Sequence, residues 1–199
     1  MALKKEQIID KALMLLDKHG LEGVTLRKLA KELNVQAPAL YWHFKNKNAL
    51  VNAMAEAILE TELHEMDALD EEEHWQDWLL DMFSRLRRAL LSHTDGGRVV
   101  AGAHLSLVMA HFSETTIQTL VDTGVSLLDA RLMVVTATRF TFGHVIEEQT
   151  TLTEEDMQTF HFDSLHTELP TLTASIHEYF AHGKTIDDLY HDGLKLIIR

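Results

Sequence analysis

No cysteine occurs among the 199 residues. That absence excludes disulfides, thiolate metal sites and cysteine nucleophiles, and it is compatible with a cytoplasmic setting. Proline occurs twice and glycine nine times, too few for long loops or disordered tracts, so the chain reads as mostly helical. No apolar run approaches the roughly 18 residues of a membrane span. The N-terminal stretch MALKKEQIIDKALMLLDKHG mixes acids with its apolar residues and lacks a small-residue cleavage site, which marks a mature helix rather than a signal peptide. Catalytic signatures are missing too: there is no His-Glu-x-x-His zinc motif, no phosphate-cradling glycine loop and no serine elbow.

What is present is close to average, with one anomaly. Hydrophobic residues make up 46% and charged residues 25%, as in soluble globular proteins. The length suits one domain, or a small module joined to a larger one, with a core that needs no staples. Formal net charge is −13, yet residues 1–50 hold nine Lys/Arg against five acids, a local balance of +4 that leaves −17 for the rest. An anionic partner therefore belongs on the first fifty residues. The same region contains QAPALYWHFKNKNAL, where Tyr41, Trp42, His43 and Phe44 stand beside Lys45 and Lys47.

The periodicity predicts an all-α fold. Ile8, Ile9, Ala12, Leu13, Leu15 and Leu16 recur at helical spacing up to a stop at Gly20. Thr25 is a suitable N-cap for a short helix over residues 26–33. Asn34 breaks it, because asparagine tolerates left-handed backbone. A third short helix begins near Gln36 with Pro38 in its first turn, where a missing N–H costs little. A longer fourth helix starts near Asn46, followed by the acidic connection DALDEEEH. Further helices are predicted over about 73–92, 95–101, 105–122, 126–149, 165–181 and 184–198. The division into domains falls inside the fourth helix, giving 1–47 and 48–199.

Short helices with a tight bend between the second and third describe a helix-turn-helix. Leu29, Leu33, Val35 and Leu40 are apolar where the two helices face each other, and Ala30 is small where they cross. Arg27, Gln36, Ala37 and Ala39 take the outward positions. In such a unit the second helix lies in the DNA major groove. Pro38 and Ala39 then offer apolar contact to thymine methyls, while Tyr41, His43, Lys45 and Lys47 engage phosphates. Phe44 is expected in the core.

The run GLEGVTLRKLAKELNVQAPALYWHFKNKNALVNAM resembles the DNA-binding domain of the tetracycline-repressor (TetR) family. Later segments, among them WQDWLLDMFSRLRRALLSHTDGGRV, FTFGHVIEEQ and DGLKLIIR, resemble the C-terminal core of the tetracycline repressors proper. The resemblance implies an all-helical homodimer, closed by a four-helix bundle from the helices near 126–149 and 184–198. It also implies a repressor that binds palindromic double-stranded operator DNA and is released by a small molecule. Arg27 matches the position that reads a guanine, and Pro38, Tyr41, Trp42, His43 and Lys47 match groove and phosphate contacts. Ala37 departs from the pattern, standing where tetracycline repressors carry a glutamine that hydrogen-bonds adenine; alanine cannot make that contact.

The effector positions depart further. The resemblance places the family's drug and magnesium contacts, most of them polar, at Met82, Leu86, Thr116, Val100, Ala103 and Glu147. His64 matches the fourth-helix histidine, or a one-residue shift puts Leu63 there. A magnesium–drug chelate would lose its metal ligand at Val100 and hydrogen bonds at Met82 and Thr116, each worth roughly 1–3 kcal/mol when buried. The expected effector is therefore apolar, not tetracycline, and is bounded by Met82, Phe83, Leu86, Val100 and Val134 with His64 and His104. Glu147 is expected at the dimer interface or behind the site rather than on a metal, and no cofactor is implied. A reading in which these residues merely fill the core, with no ligand, stays open.

Thirteen histidines and many acids also raise a helical di-metal enzyme, which needs a Glu-x-x-His pair on each of two helices. Glu71-x-x-His74 has no second copy, His144-x-x-Glu147 runs in reverse order, and His161 and His166 lie in a polar stretch. A regulator is the stronger reading. Its recognition helices must sit about 34–36 Å apart, and a ligand favouring another spacing releases DNA. The sixth helix, TDGGRVVAG, is expected to be easily remodelled through its paired glycines, with the fourth helix as lever. Replacing Gly96 and Gly97 by alanine is then expected to weaken induction while sparing DNA binding.

Overall fold

Ile8, Ala12, Leu15 and Leu16 form one buried stripe along α1 (Lys5–Gly23), the 3.6-residue pattern of an amphipathic helix. The structure is a computed structural model, and it describes residues 3–103, 106–150 and 166–199. Gly20, at φ 64 and ψ 178, breaks the helical path inside α1, where the apolar run ends. After α2 (Leu26–Glu32) and α3 (Ala37–Tyr41) comes α4 (Lys47–Leu63), whose N-cap Asn46 accepts the Ala49 N–H at 2.9 Å. Then follow α5 (Trp75–Leu91), α6 (Gly96–Ala101), α7 (Leu107–Asp122), α8 (Leu127–Glu148), α9 (Pro170–Phe180) and α10 (Ile186–Ile197). The described residues contain no strand, and the helices match the periodicity to within a few residues. Residue 165, at the predicted start of the ninth helix, lies outside the described residues.

Helix α4 packs on α1 and also on α5, α6 and α7, so one rigid element touches both ends of the molecule. Helix α8 packs on α5, α6, α7 and α10. Between these helices a single apolar core collects Leu50, Met54, Ile58, Phe83, Phe112 and Val134 among others.

Among the described residues one charged group enters that core. Arg87 on α5 is 8% exposed. It donates to both carboxylate oxygens of Glu148 on α8 at 2.9 Å and to Asp187 on α10 at 2.6 Å, and its guanidinium lies 4.9 Å from the Tyr190 ring centroid. Burial opposes its charge, but these hydrogen bonds outweigh that and raise its pKa further. The Tyr190 hydroxyl donates to the Phe83 carbonyl at 2.9 Å, and burial pushes its pKa up to about 12. Three helices are thus joined by satisfied polar groups.

The outer face is unusual in being apolar. Leu127, Leu128 and Leu132 on α8 and Ile186, Leu189 and Leu196 on α10 are exposed. Helix α9 has no fully buried residue among the described residues and exposes Leu172, Ile176 and Phe180. Among the described residues no helix is long and apolar enough to cross a membrane.

Candidate functional site

The N-terminal head is built around one bend. Thr25 caps α2 by accepting the Lys28 N–H at 3.2 Å. Asn34, at φ 53, turns the chain in the left-handed region, and the Val35 N–H closes the bend on the Ala30 carbonyl at 3.0 Å. Gln36 occupies the cap position of α3, with Pro38 in its first turn. Leu29 and Leu40 are wholly buried, Ala30 is 5% exposed and Phe44 2%. The Lys5 ammonium lies 5.7 Å from the Phe44 ring centroid, which seats that ring against α1.

The residues assigned to DNA contact lie on the outside of this bend. Arg27, Gln36, Pro38, Tyr41, Trp42, His43 and Lys45 are exposed, and Ala37, Ala39 and Lys47 are half-buried. Trp42 is 90% exposed and Tyr41 54%, so neither belongs to an aromatic core. Lys47 donates its ammonium to the Leu21 carbonyl at 3.4 Å, joining α4 to α1.

The effector positions divide into three groups. Met82, Phe83, Leu86, Val100, Thr116 and Val134 are buried together among α5, α6, α7 and α8. The Phe83 and Phe112 rings meet edge to face with centroids 5.4 Å apart. The Thr116 hydroxyl donates to the Phe112 carbonyl at 2.8 Å, one turn back on its own helix, so its proton is already used. Ala103 is half-buried. In this arrangement these side chains meet protein instead of water.

The second group stands apart from that interior. His64 is exposed at the end of α4 and its Nδ1 lies 3.0 Å from the Glu60 carbonyl. Leu63, 3% exposed, is the side chain that turns inward. His64 therefore lies outside the buried cluster in this structure, because a step of one residue on a helix rotates a side chain by about 100°. Glu147 is exposed on α8 and lines a surface cleft of about 290 Å³ with His144, Glu148, Ile186 and Leu189, so it does not bound the interior either. The third group is His104 alone, which lies outside the described residues, as does His161.

The paired glycines are also corrected. A Cβ at Gly96 would stand 2.2 Å from the Leu90 carbonyl oxygen, and one at Gly97 3.0 Å from Val145 Cγ1. The Gly97 N–H donates to Gln149 Oε1 at 3.1 Å, while Gln149 Nε2 donates to the His93 carbonyl at 2.8 Å. The glycines thus allow close packing of the start of α6, Gly96 against α5 and Gly97 against α8. Alanine at position 96 would displace that helix, not stiffen it.

Sequence reasoning missed the polar link between head and core. Asp17 on α1 accepts the Thr94 N–H at 3.0 Å and pairs with His93 Nδ1 at 2.9 Å. Asp95, in the left-handed region at φ 55, accepts the Leu21 N–H at 2.8 Å. These partners lie more than seventy residues apart in the chain, and no local pattern joins them.

Comparison with known proteins agrees with this geometry. A family model described as bacterial regulatory proteins, tetR family, matches residues 8–54, and one described as tetracyclin repressor-like, C-terminal domain, matches residues 68–199. The class C tetracycline repressor of Escherichia coli is 37% identical over 198 residues, covering 98% of this chain and 89% of that protein. A possible TetR family transcriptional regulator from Streptomyces coelicolor A3(2) superposes with a TM-score of 0.87 at 30% identity, covering 98% of this chain and 97% of the other. BioQ, solved with its natural double-stranded DNA operator, aligns at 35% identity with a TM-score of 0.65, covering 74% of this chain and 88% of that one. The chain belongs to the tetracycline-repressor (TetR) family of bacterial regulatory proteins.

Proposed function

We propose that this chain is a ligand-responsive transcriptional repressor that binds palindromic operator DNA as a homodimer and is released by an apolar small molecule, not by tetracycline. The head, residues 1–47, supplies the DNA contacts: Arg27 to a base edge, Pro38 and Ala39 to thymine methyls, and Tyr41, Trp42, His43, Lys45 and Lys47 to the backbone. Residues 48–199 bind effector and partner. The exposed apolar residues of α8 and α10 are what a second copy would cover, as a four-helix bundle requires.

The observation that carries the effector reading is the chemistry of the interior. Met82, Phe83, Leu86, Val100 and Val134 offer no hydrogen bond, and the Thr116 hydroxyl is spent on Phe112. Glu147 faces the outside. A magnesium-bound polyketide entering there would leave several polar groups unpaired, at about 1–3 kcal/mol each. The class C relative's name records tetracycline; this interior has the opposite polarity. The test is a gel-shift on selected palindromic DNA with tetracycline plus magnesium and with a panel of apolar compounds. Release by an apolar compound alone supports the reading. Release by tetracycline, or tight magnesium-dependent binding of it by calorimetry, overturns it.

The close packing of the same six side chains favours one second reading, a regulator that has lost its ligand. Release by no compound in the panel, with DNA binding intact, would select it.

A further inference from the structure

After its cap residue Ser106, helix α7 begins with three N–H groups that find no helical carbonyl. Ser106 Oγ accepts the Met109 N–H at 3.0 Å. The other two go to a side chain fifty residues away: Glu56, half-buried on α4, accepts Leu107 N–H on Oε1 at 3.0 Å and Val108 N–H on Oε2 at 3.2 Å. All three donors are thereby satisfied, and a carboxylate faces the positive end of a sixteen-residue helix. Helix α7 is also the wall that carries Phe112 and Thr116 into the interior.

The rest of α4 defines how a displacement at Glu56 would be felt. Its far end is held to α5: Arg88 Nε donates to Glu62 Oε2 at 3.0 Å, Arg85 Nε donates to the Glu62 carbonyl at 3.0 Å, and Arg85 also donates to the Glu65 carbonyl. Its near end is held to the head through Lys47 and the Leu21 carbonyl. At 1.5 Å per residue, Glu56 lies about 9 Å and Lys47 about 22 Å from Glu62. A shift of about 1 Å at Glu56 around that clamp would carry the head about 2.5 Å, against the hydrogen bonds of Asp17 to Thr94 and of Leu21 to Asp95 that also tie the head to the core. The start of α6, for its part, packs closely on α5 and α8 at Gly96 and Gly97.

We propose that Glu56 is a coupling residue of this regulator: its two hydrogen bonds fasten the helix that carries the DNA-reading head to the α7 wall of the effector interior. The proposal rests on the regulator reading, and its first test needs neither the effector nor DNA. Because the chain lacks cysteine, spin labels can be placed on Lys31→Cys in the head and Asp81→Cys on α5, diluted with unlabelled chain, and their separation measured by pulsed electron resonance.

Glu56→Ala is expected to at least double the width of the head-to-core distance distribution, with Glu56→Gln, which keeps one acceptor oxygen, intermediate. Ser106→Ala removes a cap from the same helix end without touching α4. It is expected to lower Tm comparably and leave the distribution unchanged. A distribution unchanged in both Glu56 variants, or broadened equally by Ser106→Ala, overturns the proposal. In gel-shifts Glu56→Ala should weaken operator binding roughly fivefold or more, the lower bound of ordinary allosteric coupling, with Ser106→Ala near the parent. Equal operator affinity of the parent and Glu56→Ala also overturns it. A parent that selects no DNA refutes the regulator reading, and the distance distributions then decide the coupling alone.

Discussion

Trp42, 90% exposed beside Tyr41 at 54%, shows at the scale of one residue why the head reads as an interface. Large rings left in water next to lysines need a partner to repay them. Arg27→Ala is expected to cost roughly 1–3 kcal/mol in operator binding and to relax preference at one base pair. Lys47→Ala is expected to weaken binding across sequences and lower the salt slope by about one. Competition gel-shifts over a range of salt check both, and altered base preference in Lys47→Ala would reverse the two roles. A second residue, His144, makes a prediction about pH. Its Nε2 is buried without a hydrogen-bond partner, facing Arg87 on α5, Glu147 and Glu148 on its own helix, and Asp187 and Tyr190 on α10. Burial first, then Arg87, lowers its pKa below the ordinary 6.5. The unfolded chain therefore takes up this proton at higher pH than the folded one, so stability falls as pH drops through about 6.5. Between pH 7.5 and 5.5 the wild type should lose more Tm than His144→Phe, by scanning calorimetry; equal losses would assign His144 no such penalty. The outward position of Arg27, Gln36, Tyr41 and His43 is legible in the sequence, because the motif fixes which side of a bend faces out. His144, Asp17 and Glu56 were not, because their partners come from other helices.

At the scale of the element, caps and turns followed local chemistry. Thr25, Asn34 and Asn46 stand where short-range hydrogen bonding and left-handed tolerance put them. Glycine was the harder residue to read. Gly96 looked like flexibility in the sequence, but its missing Cβ accommodates the Leu90 carbonyl. Gly96→Ala should therefore destabilise the fold by about 1–3 kcal/mol, the usual cost of overpacking, and an unchanged denaturant midpoint would contradict this. Gly193 on α10 behaves alike: an added Cβ would stand 2.5 Å from Phe140 Cζ, and that ring is stacked on Tyr190 at 5.7 Å. Gly193→Ala is expected to cost a similar amount, and Phe140→Leu in the same chain should recover part of it. Full additivity of the two changes would show that the ring is not the obstacle.

At the scale of the whole molecule, charge and apolar surface point in different directions. The −17 carried outside the first fifty residues repels DNA from everything except the head. The apolar faces of α8, α9 and α10 invite a second copy instead. Leu128→Glu with Leu189→Glu on those faces should shift sedimentation from dimer to monomer and abolish binding to a palindrome while single-site contacts persist weakly. Retained dimer would place the interface elsewhere. The sequence by itself determined the all-helical class, the helix-turn-helix, the residues on the outside of its bend and the apolar character of positions 82, 86, 100 and 134, because each follows from residue type and helical period. Only the tertiary structure decided that Leu63 and not His64 turns inward, that the paired glycines are contact points, and that Glu56 holds the start of α7. Those facts depend on what another helix places opposite a residue, and no local pattern in one chain encodes it.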